Sequence, residues 1–417
     1  MAAGIRATQG RRSRKLQKQN PRRGQFNMFN RLWRFASAAM FASLVIGRAA
    51  HAITPDAAPA TIPHGAIVDR QPLEADHGLP EAGAQFRIRY SSIDGVGGIE
   101  AREDTGTVFL PKGPTPPGGW PVVVWAHGTV GIASACAPSL NVRSQRDIQY
   151  LGTWLSLGFA IVAPDYAGLG SQGLHHYLNA RAEAYSVLDS LLAARSVFPL
   201  QNRVVLVGQS QGAHAAFAAA GYQPQYAPDV KVIATVLTGT PYFNEQTSAA
   251  TLFGGQPDPG APDPKIPYAM YLFLSAADRD PTLLAARYFS PQALPVLDEA
   301  RTLCIGELTD HATAAGLNAG NSMQPMIQKL LNNQTPSLRY PTLHIKHPVF
   351  IGMGTKDIDV PVIMQQAFAR DVSKAGTHTR VHVYDGLDHD ATVNPSLRDS
   401  VPFVLEQMAT KGRARAQ

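Results

Sequence analysis

The stretch "RVVLVGQSQGAHAAF", residues 203–217, sets Ser210 between Gly208 and Gly212. An apolar run into a glycine-flanked serine, followed at once by alanines, describes a strand, a sharp turn and a helix. The residues two before and two after such a serine must be small to avoid clashing with its strained backbone, and a G-x-S-x-G spacing meets that need. The exposed hydroxyl would then be a nucleophile, provided a base and an orienting carboxylate follow. Both occur downstream, in the order serine, acid, histidine. "FIGMGTKDIDVP" puts Asp357 after an apolar run that begins at Val349, and "VHVYDGLDHDAT" puts His389 after an alternating run through Val383. Asp359, Asp385 and Asp388 are rival acids. Asp357 is preferred because it comes first after the Gly-x-Gly turn, with Val360-Pro361 closing the loop behind it. His382 lies inside the alternating run and reads as structural.

Acyl transfer also needs N–H donors aimed at the developing oxyanion. The backbone N–H of Gln211, at the helix start, is one candidate. The other is Thr129 in "VVVWAHGTVG", where His127-Gly128 allows a close backbone approach and the His127 ring reads as a packing group. Asp165 in "PDYAGLG" precedes Ser210 among turn glycines and is expected to cap its own loop.

These residues need a scaffold that brings several loops to one edge. "PVVVWAHG", "FAIVAPDYAG", "RVVLVG" and "VKVIATVLTGT" are short continuous apolar runs, as expected of strands buried on both faces. Helical spacing separates them, for example Val187, Leu188, Leu191 and Ala194 in "RAEAYSVLDSLLAARSV". The alternation predicts an α/β fold with a mostly parallel sheet and helices on both faces. Ahead of it, residues 85–111 alternate as antiparallel strands. Residues 244–345 break the rhythm with helical runs, among them "IPYAMYLFLSAADRD", "TLLAARYFS", "PVLDEARTLCIGELTDHAT" and "QPMIQKLLNN". They read as a helical cap inserted between a first core part, 85–243, and a second, 346–417. Tyr268, Met270, Tyr271, Leu272, Phe273 and Leu274 are too many apolar residues for one buried stripe, so some are expected to floor an acyl pocket over Ser210.

Composition narrows the function classes. Of the 37 Lys and Arg, eleven lie in residues 1–52, which hold no Asp or Glu. The remaining 26 face 31 acidic residues, so the body is mildly acidic and nucleic-acid binding finds no support. Residues 1–52 read as a signal peptide, with Arg31 and Arg34, an apolar stretch from Phe35 to Gly47 and an Ala50-His51-Ala52 cleavage site. Met28 is an alternative start and Arg22-Arg23 an alternative export signal. The apolar stretch is shorter than the roughly 20 residues of a membrane span, so no stable membrane anchor is expected. Residues 53–84 then read as an extended arm. The product would be secreted or periplasmic. Two cysteines, Cys136 and Cys304, allow one intramolecular pair in an oxidising compartment; an unlinked buried pair is the alternative, and the bond is the expectation. No metal-ligand spacing, phosphate loop or dinucleotide fingerprint is present, so neither metal nor cofactor is expected.

"HGTVG" followed by "CAPS", then "PDYAGLG", "HHYL", "GQSQGAHAA", "GTKDIDVP" and "GLDH" resemble the secretory lipase family of α/β-hydrolases over roughly residues 120–392. The resemblance implies the α/β-hydrolase fold, a triad of Ser210, Asp357 and His389, oxyanion donors Thr129 and Gln211, and small-molecule or lipid carboxylic esters as substrates. "HHYL" departs from the family, which often has a proline after the first histidine, and the extra cysteines of the fungal members are missing. An esterase restricted to small, aromatic or polymeric esters, and a non-catalytic hydrolase-fold binding protein, are the alternatives.

Overall fold

The computed structural model describes residues 63–254 and 258–413. The expected signal peptide and the first ten residues of the arm lie outside that range. The chain opens with β1 (Ile67–Pro72), β2 (Ala82–Ile93), β3 (Ala101–Pro111) and β4 (Trp120–Ala126). Helices and strands then alternate: α1 (Gln145–Ser156), β5 (Ala160–Pro164), α2 (Ala180–Val197), β6 (Leu200–Gln209), α3 (Gln211–Tyr226) and β7 (Val232–Thr238). Next come α4 (Ala249–Phe253), α5 (Ile266–Arg279), α6 (Leu294–Glu299), α7 (Ile305–Ala314), α8 (Ala319–Ser322) and α9 (Ile327–Leu338). The sheet resumes with β8 (Val349–Gly354), α10 (Val362–Lys374), β9 (Thr379–Tyr384) and α11 (Leu397–Arg413).

All nine strands form one sheet in the order β1-β2-β3-β5-β4-β6-β7-β8-β9. The first three are antiparallel to their neighbours, and every pair from β5 through β9 is parallel. This is the mostly parallel α/β-hydrolase arrangement. Strand β1 lies within the stretch read from sequence as an extended arm, and it pairs with β2 at the edge of the sheet.

Strand alternation sorts the core into two layers. Val122, Val124, Val204, Leu206 and Ile351 point to the side covered by α2, α3 and α10. Their neighbours Val123, Trp125, Val205, Val207 and Phe350 point to the side covered by α1 and α11. A third apolar cluster belongs to the helices between β7 and β8 and reaches into the sheet region through Ile132, Tyr177 and Leu178.

Two expected helices differ. "TLLAARYFS" keeps only a single 3-10 turn, Ala285–Arg287, because Phe289 is drawn into a bridge with Met323. "PVLDEARTLCIGELTDHAT" splits into α6 and α7 at Cys304, whose disulfide and the Ile305 N–H bond to Val130 O hold the break.

Candidate active site

In a parallel sheet the loops at the carboxyl ends of the strands share one edge, where ligands bind. Thr129 follows β4, Ser210 follows β6, Asp357 follows β8 and His389 follows β9. The topology therefore brings Thr129, Ser210, Asp357 and His389 to one edge of the sheet.

Ser210 has φ 57° and ψ −124°, a left-handed conformation that a side chain rarely adopts. Its N–H donates to Thr238 O at 2.9 Å, and its carbonyl accepts from His214 N at 3.1 Å, so the strain is held from both sides. The flanking glycines are sterically required. A Cβ on Gly208 would lie 2.0 Å from Gly212 O, and one on Gly212 would lie 1.8 Å from Ala126 O. Gln211 begins α3, and the first N–H groups of a helix have no partner within it.

His389 Nδ1 lies 2.7 Å from Asp357 Oδ2, with both groups buried. Val360 N donates to Asp357 Oδ1 at 2.9 Å and Gln365 Nε2 to Oδ2 at 2.8 Å, fixing the carboxylate's plane. Burial disfavours the His389 imidazolium, yet the hydrogen bond and charge of Asp357, with Asp359 and Asp390 beyond, raise its pKa above the ordinary 6.5. The rival acids are elsewhere occupied. Asp385 accepts from Thr355 Oγ1, and Asp388 accepts from Ala391 N. Asp359 stands nearer: it, Asp357 and His389 present atoms within 4.8 Å of one another. Burial, opposed by His389 and reinforced by Asp357, raises the Asp359 pKa. With His389 Nδ1 committed to Asp357, the group is a hydrogen-bonded dyad with a second acid beside it.

Ser210 sits between two spaces of unlike character. On one side is a cleft of about 860 Å³ lined by Thr129, Arg143, Arg146, Asp147, His389 and Asn394, among others. On the other is a pocket of about 40 Å³ walled by Leu178, Phe243, Phe253, Leu272, Val360 and Met364. Tyr268 borders both. Of the apolar run on α5, Tyr268 and Leu272 line Ser210's pocket, whereas Phe273 packs edge-on to Phe289 and Tyr271 packs against Tyr177.

His127 stacks on Tyr166 with ring centroids 4.2 Å apart, and its ring nitrogens face the carbonyls of Gly128 and Asp165. It is a packing group. His382, in β9, stacks on Phe350. Asp165 departs from its expected role: rather than capping its own loop, it accepts from Ser139 N at 2.8 Å and Thr105 Oγ1 at 2.7 Å, tying two other segments together.

Three contributors escape a reading of spacing. Gly239, at φ 61°, passes beneath the imidazole, where a Cβ would meet His389 Cε1 at 2.6 Å. Gln365 is a buried amide between Met364 and Phe368 on α10, and its only sequence signal is a polar residue on an apolar face. Glu183 is a buried carboxylate on α2 that accepts from Gln211 Nε2 at 2.7 Å and from Leu178 N at 3.0 Å.

Comparison with known proteins agrees with this architecture. A model of the secretory lipase family matches residues 134–255, which include the elbow. Lipase A of Moesziomyces aphidis is 27% identical over 214 residues, 48% of this chain and 44% of that protein, so the match spans less than half of the relative. Candida antarctica lipase A in its closed state superposes with TM-score 0.66 at 20% identity, covering 84% of this chain and 83% of that one. A ligand-bound rice cell wall degrading esterase from Xanthomonas oryzae gives TM-score 0.63 at 20% identity, over 82% and 97% of the two chains. Over residues 134–255 the chain is thus similar to the secretory lipase family, and its strand order is that of the α/β-hydrolase fold.

Proposed function

We propose that the protein is an exported serine carboxylic ester hydrolase working through an acyl-enzyme on Ser210. The observation that carries this reading is the buried Asp357–His389 hydrogen bond opening on the cleft that also exposes the strained Ser210. Ser210 Oγ attacks the ester carbonyl while His389 Nε2, the ring nitrogen not turned to Asp357, takes its proton. The oxyanion that forms is met by the N–H groups of Gln211 and Thr129. As the C–O bond to the alcohol breaks, His389 returns the proton to the leaving oxygen. Water then repeats the sequence on the acyl-enzyme, with His389 as base, and releases the acid.

The unequal spaces around Ser210 support separate places for the two halves of the ester. A water-sized group needs about 10–15 Å³, so the 40 Å³ pocket receives an acyl chain of only a few carbons. The wide cleft, edged by Arg143, Arg146, Asp147 and Asn394, receives a bulkier polar alcohol part. This favours an esterase of short acyl groups over a lipase of long-chain triacylglycerols. The helices between β7 and β8 supply Tyr268, Leu272 and Phe253 to the pocket and in this reading act as a cap. The match to secretory lipases supports export, and no described helix is long and apolar enough to cross a membrane.

A fluorophosphonate probe combined with p-nitrophenyl ester kinetics tests the mechanism. Wild-type protein is expected to be labelled once, at Ser210, and Ser210→Ala to fold normally while losing about a million-fold in kcat. Retained turnover in Ser210→Ala removes the mechanism.

A further inference from the structure

The apolar pocket beside Ser210 shares part of its lining with a second cavity. That second cavity, about 500 Å³, lies among Arg181, Arg279, Leu283 and Leu330. The two spaces share two lining residues, Tyr177 and Leu272. Both side chains are buried.

This shared wall is held on several sides. Tyr177 N–H donates to Ser275 Oγ at 2.9 Å, one turn beyond Leu272 on α5. Its hydroxyl lies 2.8 Å from Thr129 Oγ1, and its ring packs edge-on to Tyr271. The next residue, Leu178, is at φ 58°, and its N–H is held by Glu183. A leucine there persists only when its surroundings over-determine it. Glu183 also holds the Gln211 side chain, so the wall and the elbow share one buried anchor. The wall is thus a fixed partition, built from the "HHYL" segment and the face of α5.

We propose that Tyr177 and Leu272 set the upper limit on acyl length, and that shortening Leu272 joins pocket and cavity into one channel that accepts a long chain. This rests on the ester-hydrolase reading above. In a hydrophobic pocket each methylene gained or lost changes kcat/KM by about 10- to 200-fold. Opening the wall therefore changes the ranking of substrates rather than their overall rate.

The test measures kcat/KM on p-nitrophenyl butyrate and p-nitrophenyl dodecanoate for wild type and Leu272→Ala, with Tm on both. Wild type should favour butyrate, and Leu272→Ala should raise the dodecanoate-to-butyrate ratio by about ten-fold or more. A structural role alone lowers Tm and leaves that ratio where it was. If Leu272→Ala fails to fold, Leu272→Val keeps most of the packing and should raise the ratio by a smaller factor. An unmoved ratio in whichever variant folds overturns the proposal, as does a wild type that already favours dodecanoate. A wild type that neither turns over any ester nor takes up the fluorophosphonate overturns the hydrolase reading itself, and the wall proposal falls with it.

Discussion

At the scale of single residues, two neighbouring aspartates stand in unlike surroundings. Asp357 contacts His389 Nδ1 at 2.7 Å, while Asp359 has Tyr268 Oη at 3.5 Å as its nearest hydrogen-bond partner. Asp357→Asn keeps the shape but can leave the imidazole in the wrong tautomer, so kcat should fall by about ten-thousand-fold. Asp359→Asn should cost far less; steady-state kinetics on the two variants showing the larger loss at Asp359 would reassign the acid. The pH profile follows from the same contact. In the proposed mechanism His389 acts as base only when neutral, and its pKa is raised above 6.5, so kcat/KM should fall as pH drops through a midpoint above that value. Asp357→Asn removes the hydrogen bond and charge that raise it, so the residual activity should show its acid limb at lower pH. A limb that stays in place points to a different titrating group. That Ser210, Asp357 and His389 share one edge was legible, because each follows a strand of a parallel sheet. Gly239, Gln365 and Glu183 were not, because nothing local marks them: packing from β7, α10 and α2 brings them to the site.

At the scale of elements, the elbow works because two backbones approach within van der Waals contact. Gly212 lies against the Ala126 and His127 carbonyls at the end of β4, so the strand carrying the Thr129 loop presses directly on the helix that follows Ser210. Gly212→Ala places a methyl 1.8 Å from one of those oxygens, and backbone cannot yield cheaply. The variant should lose stability by about 1–3 kcal/mol or more, the usual cost of overpacking. It should also label slowly with fluorophosphonate, since the elbow and oxyanion loop shift together. Thermal melts and labelling rates check both, and normal values for both would mean that the glycine is incidental. The central strands were readable because burial on both faces leaves long apolar runs such as "PVVVWA". The helical insertion was less so. "TLLAARYFS" has helical spacing, but the Phe289–Met323 bridge and the Asp280 side chain, which accepts from Thr282 N–H, override that preference. Strand β1 has little apolar pattern because it lies at an edge with one neighbour, so its pairing was invisible before the sheet was assembled.

At the scale of the whole molecule, the Cys136–Cys304 disulfide joins the two parts that enclose Ser210. Cys136 belongs to the segment after β4 that also carries Thr129, and Cys304 caps α7 in the insertion. Both cysteines line the wide cleft. Ile305 N–H adds a backbone bond to Val130 O at 2.9 Å, and Gly131 passes so close that a Cβ would lie 2.9 Å from Cys136 Sγ. The bond closes a loop of 168 residues, for which the chain-entropy model gives a stabilisation of about 5 kcal/mol. Cys136→Ser/Cys304→Ser should therefore lower Tm by roughly 5–10 °C, and a reductant should do the same to wild type but not to the variant. The insertion should then ride less firmly on the cleft. Because Ser210, His389 and Asp357 hang from β6, β9 and β8, which the bond does not touch, the chemical step is spared. The expected signature at a temperature well below the melt is a raised KM with kcat nearly unchanged. An equal loss in kcat would mean that the bond holds Thr129's loop in its working position, moving the disulfide's role from fastening the insertion to shaping the oxyanion site.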